Sequence, residues 1–277
     1  MNVRELLLPV LLLINVVGVF AQPTTFTNAI GMEFVFIKPS SMMVGRFQPP
    51  YPKPPKPDDT TQKTAGLAWT SNDYHRAEEL VKQDAKNGFT VTIRKPYYIG
   101  KFEVTQAQWK QVMGTNPSAF QGNVVKDNAD QHPVEQVSWQ DVQKFLVKLN
   151  ALDKTHRYRL PTEFEWEYAA RAGADDDISW KAIWASAQMG SMTTAPVGQK
   201  TPNAWGLYDT LGNVWEWVQD VYNEKIFADP TPPRSGSQHV LKGASFVGDV
   251  KNATYMTHAA GPGNGWDVGF RVVMEAK

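Results

Sequence analysis

Glu33-Phe-Val-Phe-Ile37 reads as a strand of two-residue period, apolar at every position after Glu33. Phe89 to Arg94 and Tyr97 to Val104 alternate on either side of Pro96 and read as paired strands. The period changes at Val142, Phe145, Leu146 and Leu149, whose spacing of three and four predicts a helix with one buried stripe. Tyr74, Ala77, Val81 and Ala85 predict another helix, capped by Asn72 or Asp73, reaching Lys86 and ended by Gly88. Thr105-Gln-Ala-Gln108, Ser138-Trp-Gln-Asp141 and Thr162-Glu-Phe-Glu165 each place a hydroxyl before a helix and a polar acceptor three residues on. That is a reciprocal cap, in which each side chain binds the other residue's backbone N–H. Beyond Gly173 the chain turns to Gly, Pro, Asn and Trp, and only Val240-Leu-Lys and Phe270 to Met274 predict firm strands. Backbone groups there must be satisfied by turns, side chains or ions.

Two stretches stand apart from this pattern. Arg4 followed by the apolar run Leu6 to Phe20, with a cut before Gln22, predicts a cleavable signal peptide over residues 1–21. The run is shorter than the roughly 20 apolar residues of a membrane span, so no span is expected after cleavage. Residues 22–277 are then expected to form a single domain in a periplasmic or secreted protein. Pro49-Pro-Tyr-Pro-Lys-Pro-Pro-Lys-Pro57 must be extended, which makes about 47–88 an excursion carrying the extra helix.

Composition narrows the chemistry. Ten tryptophans and 42% hydrophobic residues can build a large core. A net charge of zero offers no electrostatic reason for a nucleic-acid partner. The chain has no cysteine, which removes disulfides, thiol nucleophiles and thiolate metal sites. The histidines at 75, 132, 156, 239 and 258 form no HExxH or HxH pair, and there is no GxSxG elbow around Ser245. Glu163, Glu165 and Glu167 point to different faces of a helix and cannot act as one acid–base pair; partners for arginine are the expected role. Asp209-Thr-Leu-Gly-Asn-Val-Trp-Glu216 is the candidate cation site, with hard oxygens on both sides of a glycine turn.

Several segments in order resemble the formylglycine-generating enzyme, or sulfatase-modifying factor, family. They are Tyr98-Ile-Gly-Lys-Phe-Glu-Val-Thr105, His132-Pro-Val-Glu-Gln-Val-Ser-Trp139, Tyr158-Arg-Leu-Pro-Thr-Glu-Phe-Glu-Trp-Glu-Tyr-Ala-Ala-Arg171, Asn203-Ala-Trp-Gly-Leu-Tyr-Asp209, Gly212-Asn-Val-Trp-Glu-Trp217 and Gly269-Phe-Arg271. The resemblance implies an irregular, loop-rich α+β fold related to C-type lectins. It also implies that copper would bind a cysteine pair following an Arg-Gly-Gly-Ser segment. That segment is similar to Lys242-Gly-Ala-Ser245 here, and Gly248 and Ala253 fall at the cysteine positions. Ser245 is retained, but no thiolate remains for soft copper, so no copper is expected. A structural calcium is implied at Asp209, Gly212, Val214 and Glu216, and the family's second calcium site is implied to be lost at Ala182.

These readings lead to a non-catalytic binding or structural module of the bacterial envelope or secreted fraction. Its expected ligand surface, for a peptide, protein or glycan, comprises Phe246, Asp249, Asn252, Tyr255, His258 and Trp266. The alternatives are a divergent oxidase converting a protein cysteine to formylglycine, or another, thiol-independent enzyme using Ser245, His258 or Asp249, and a scaffold component of an envelope or secretion machine acting through residues 49–57.

Overall fold

A computed structural model describes residues 24–45, 88–174, 180–226, 233, 235–250, 253–261 and 263–276. The signal sequence, the Pro-rich stretch, the helix read over 72–86 and Asn252 lie outside the described residues.

The strands are β1 (Thr25–Thr27), β2 (Glu33–Ile37), β3 (Ser40–Val44), β4 (Phe89–Ile93), β5 (Tyr97–Gly100), β6 (Tyr158–Arg159), β7 (Trp215–Val221), β8 (His239–Lys242), β9 (His258–Ala260), β10 (Val268–Phe270) and β11 (Val273–Glu275). The helices are α1 (Gln106–Met113), α2 (Trp139–Leu152), α3 (Glu163–Ala170) and α4 (Trp180–Ser186). A five-stranded sheet runs β1-β2-β5-β11-β6, a four-stranded sheet β10-β7-β8-β9, and β3-β4 form a separate ribbon. Every pairing is antiparallel except β10 with β7. This is the irregular α+β architecture expected.

The three reciprocal caps form as read: Thr105 with Gln108, Ser138 with Asp141 and Thr162 with Glu165 each bond in both directions. Each such cap contributes about 1 kcal/mol. The α2 stripe of Val142, Phe145, Leu146 and Leu149 is buried as its spacing requires. It packs with α1 on one face of the five-stranded sheet, where Trp109 stacks on Phe145 at 5.2 Å and both meet the edge of Phe270. Alternation sends Phe34, Tyr98 and Met274 to that face, and Val35, Ile37, Tyr97, Ile99 and Val273 to the other. The sheet is therefore buried on both sides.

Two strand readings change. Phe89–Ile93 and Tyr97–Gly100 do not pair with each other: β4 pairs with β3, and β5 lies between β2 and β11. Residues 101–104 leave the strand, because Gly100 and Val104 donate their N–H groups to the carbonyls of Val272 and Phe270. The run from Phe270 to Met274 is also broken. Its first part belongs to β10 and its last to β11, and between them Arg271 is wholly buried. The chain changes sheets where that guanidinium enters the core.

Candidate functional site

The turn entering β7 is buried. Asp209, Gly212 and Asn213 have φ of 55°, 94° and 57°, the left-handed region that Gly accepts freely and Asp or Asn accept best among the rest. A side chain at 212 would collide with the Gln188 carbonyl, so the turn requires glycine there. Gly212 N–H donates to Gly243 (2.8 Å) and Asn213 N–H to Gln188 (2.7 Å), which tie the turn to two neighbouring loops.

Three buried carboxylates surround this turn. Glu216 accepts from Arg271 Nε (2.6 Å), Arg271 Nη2 (2.7 Å) and Trp166 Nε1 (2.7 Å). Glu103 accepts from Asn213 Nδ2 (2.6 Å) and Val214 N–H (3.1 Å). Asp209 Oδ2 accepts from Gly198 N–H (2.7 Å), while its Oδ1 is buried without a partner. Arg271 also donates to the carbonyls of Gly100 (3.1 Å) and Tyr208 (2.9 Å). One guanidinium thus faces three acids out of water. Burial, then the charges of Asp209 and Glu216, push the Glu103 carboxyl well above its ordinary range. Burial also pushes Asp209 up to about 6, against the Gly198 hydrogen bond and the Arg271 charge.

These residues suit a hard cation in two respects: the excess of buried negative charge, and the unused oxygen of Asp209. Among the described residues no three His, Asp or Glu side chains form a metal cage by themselves. A cation would therefore rely on backbone carbonyls such as those of Gly212 and Val214, and Glu216 would share its oxygens with Arg271.

The segment that resembles the oxidase motif adjoins this turn. Lys242 is fully buried; its ammonium donates to Glu167 (3.1 Å) and Met256 O (3.4 Å), over the Trp166 ring. Arg171 reaches Glu167 at 2.7 Å, and Glu165 binds Arg159 through two bonds. The α3 glutamates are partners for cations, but they do not all point to different faces: Glu163 and Glu167, four apart, share one face and both approach Lys242 (3.8 and 3.1 Å). Gly243 and Ala244 turn the chain with φ of 87° and 61°. Ser245 Oγ then donates to Asp267 Oδ2 (2.8 Å), giving its single proton to a carboxylate. Gly248 is held by Gly190 N–H on its carbonyl (3.0 Å). Ala253 is fully buried in an apolar cluster with Trp166, Ala170, Leu211 and Val240.

Of the residues expected on the ligand surface, Trp266 is 47% exposed and Asp249 is exposed. Phe246 and Tyr255 are not at the surface. Phe246 is buried beneath Trp266 (5.2 Å, edge-on) and against Phe120 (5.2 Å), where its ring gains from leaving water. Tyr255 lies in the Ala253 cluster with its hydroxyl on Thr210 and Ser186, and burial pushes it up to about 12. His258 is mostly buried, with Nδ1 3.3 Å from Glu163 and its ring on Tyr222. The surface that does exist is the half-exposed Trp266 standing on Phe246 and Phe120; Val247, the residue after Phe246, is exposed. Ser191 N–H on the Phe246 carbonyl brings exposed Met192 to the same loop.

The roles of Glu103, Lys242 and Asp267 were not read from the chain. Glu103 lies in the Tyr98–Thr105 segment, but its partners are more than a hundred positions away.

Residues 70–276 match the family model described as the sulfatase-modifying factor enzyme 1-like domain. A Paenibacillus barcinonensis protein named chaperone protein LppX is 30% identical over 76% of this chain and 92% of its own length. The formylglycine-generating enzyme of Streptomyces coelicolor is 37% identical over 42% of each chain, so this chain aligns with less than half of that enzyme. Among solved structures, Treponema denticola variable protein 1 superposes with a TM-score of 0.69 and 26% identity, covering 92% of this chain and all of the other.

Proposed function

The chain belongs to the sulfatase-modifying factor enzyme 1-like family, and we propose that within it the protein is a non-catalytic, calcium-stabilised module that binds a peptide or protein segment. The observation that carries this reading is the pair Gly248 and Ala253 in a chain with no cysteine. Copper-dependent oxidation of a thiol needs soft ligands. Neither position offers one, and Ala253 is enclosed by hydrocarbon. Ser245 does not compensate, because its proton is already engaged with Asp267 rather than with an imidazole base.

The ligand surface is centred on Trp266, with exposed Val247 and Met192 on the segments tied to Phe246. Exposed aromatic and methionine side chains over a packed base suit segments of varied sequence, since the large apolar area supplies affinity and the Met side chain adapts. The chaperone name of the Paenibacillus barcinonensis relative favours a protein ligand over a glycan. The oxygen set at Asp209, Gly212, Val214 and Glu216 would hold calcium, which would neutralise buried acids and do no redox chemistry. The apolar run read as a signal over residues 1–21 supports export, with a mature protein beginning at Gln22.

Two experiments test this. The full chain, incubated with copper, oxygen and a cysteine peptide of sulfatase type, should yield no peptide aldehyde; stoichiometric aldehyde overturns the non-catalytic reading. On an array of apolar peptides the protein should bind a subset, and Trp266→Ala should lose it. Equal binding by the variant would move the surface elsewhere. For the cation, chelation should lower the melting temperature, and calcium should restore it better than magnesium. At a hundredfold excess over its dissociation constant a ligand adds about 2.7 kcal/mol. Asp209→Ala should abolish the response, and indifference of the wild-type protein to chelator would refute the site.

A further inference from the structure

A concavity lies apart from the residues of the cation turn and the Trp266 loop, and shares none of them. It has a volume of about 780 Å³ and is bounded by α2, the loop after it, β6, the cap of α3 and Gln219 of β7. This is within the usual size range of small-molecule sites. Its side chains are unequal in charge. Lys154, Arg157 and Arg159 line it with no carboxylate among the lining residues. Arg159 is committed to Glu165 by two bonds of 2.6 and 2.8 Å. Lys154 is exposed, and Arg157 is 78% exposed, with its Nε 3.6 Å from Glu275 Oε1. Both keep hydrogen-bond donors for a ligand.

The wall also carries an unmet donor. Gln143 lines the cleft, and its amide nitrogen is buried without any hydrogen-bond partner. A buried donor left unpaired is costly, and a turn of the Gln143 side chain toward the cleft would let an arriving acceptor relieve it. Val147, 70% exposed one turn along α2, adds an apolar surface. The frame is held firmly: the Asn150 side chain binds Tyr158 N–H (2.8 Å) and Tyr158 O (2.9 Å), fastening α2 to β6. The site is therefore largely formed before a ligand arrives.

We propose that this cleft binds the oxyanion of a small ligand, with Lys154 and Arg157 supplying charge, Gln143 the buried donor and Val147 a seat for the carbon skeleton. The shared chemistry is a carboxylate, sulfate or phosphate group, each of which accepts charge-assisted hydrogen bonds in this way. The proposal is independent of the Trp266 surface and of the cation.

The test is titration of the full chain with sodium sulfate, inorganic phosphate and succinate, with sodium chloride at matched ionic strength as control. Heat of binding and the Gln143 side-chain amide resonance are followed together. At least one oxyanion should give saturable heat and move that resonance, and which one does so separates carboxylate from sulfate or phosphate ligands. Lys154→Glu and Arg157→Glu should each weaken binding by about tenfold or more. Gln143→Leu should weaken it too, while leaving the melting temperature of the free protein unchanged or raised. No saturable response to any oxyanion, an equal response to chloride, or binding undiminished by all three substitutions would overturn the assignment.

Discussion

Replacing Arg271 by methionine should be among the most damaging single changes to the core, and the reason is electrostatic. The wild-type guanidinium has no solvent exposure and makes four hydrogen bonds: 2.6 and 2.7 Å to Glu216, 3.1 Å to Gly100 O and 2.9 Å to Tyr208 O. Methionine fills much of the volume but leaves Glu216, Glu103 and Asp209 buried with no cation beside them. Removing one member of a buried pair costs about 3–5 kcal/mol, a large share of the roughly 5–15 kcal/mol that holds a domain folded. In urea, with a slope near 3 kcal/mol/M, the midpoint should fall by about 1–2 M. The measurement belongs in chelator, so that cation binding at Asp209 does not enter. The decisive comparison is the double variant Arg271→Met, Glu216→Gln. If the cost comes from a stranded carboxylate, neutralising Glu216 should recover at least half of it, as a coupling of about 2 kcal/mol in a double-mutant cycle. A single-variant loss below about 1 kcal/mol, or a double variant equal to the sum of the singles, would refute the argument.

Other outcomes follow from local geometry. Ala244 has a φ of 61°, so Ala244→Gly should stabilise the fold by up to about 1 kcal/mol in the same denaturation assay. Burial pushes Asp153 up, but hydrogen bonds from Tyr158, His156 and Thr155 N–H outweigh it and hold the carboxyl down at about 2. Its contribution is present above the unfolded value near 3.9 and lost as pH falls through about 2. Tyr158→Phe should thus cost on the order of 1 kcal/mol at neutral pH, and the difference from wild type should shrink between pH 4 and 2. Asp220 runs the other way: burial, opposed by the N–H of Glu163, pushes it up to about 6. Its ionisation is unfavourable in the folded state, so Asp220→Asn should compare better with wild type at pH 7 than at pH 4, by on the order of 2 kcal/mol.

What the residues alone determined is what depends on near neighbours. A cap joins positions three apart, so Thr105, Ser138 and Thr162 announced three helix starts. The α2 stripe followed from a period that any isolated helix would share. The motif series identified the family, and the glycine turn at 212 was legible because acid and glycine stand together in the chain. Sheet pairing was not legible in this way. The alternation of Phe89–Ile93 and Tyr97–Gly100 says that each is a strand and nothing about its partner. Proximity suggested a hairpin where the core placed them in separate sheets. Burial on loops was equally hidden: Phe246 and Tyr255 look like the exposed Trp266 in sequence, and only the walls supplied by Phe120 and by α3 enclose them. The ionic centre was decided by tertiary structure alone. Glu103 meets Asn213 across 110 positions, and Lys242 meets Glu167 across 75. No local rule predicts such pairings, because a buried charge takes whichever partner the fold brings within reach when water is excluded.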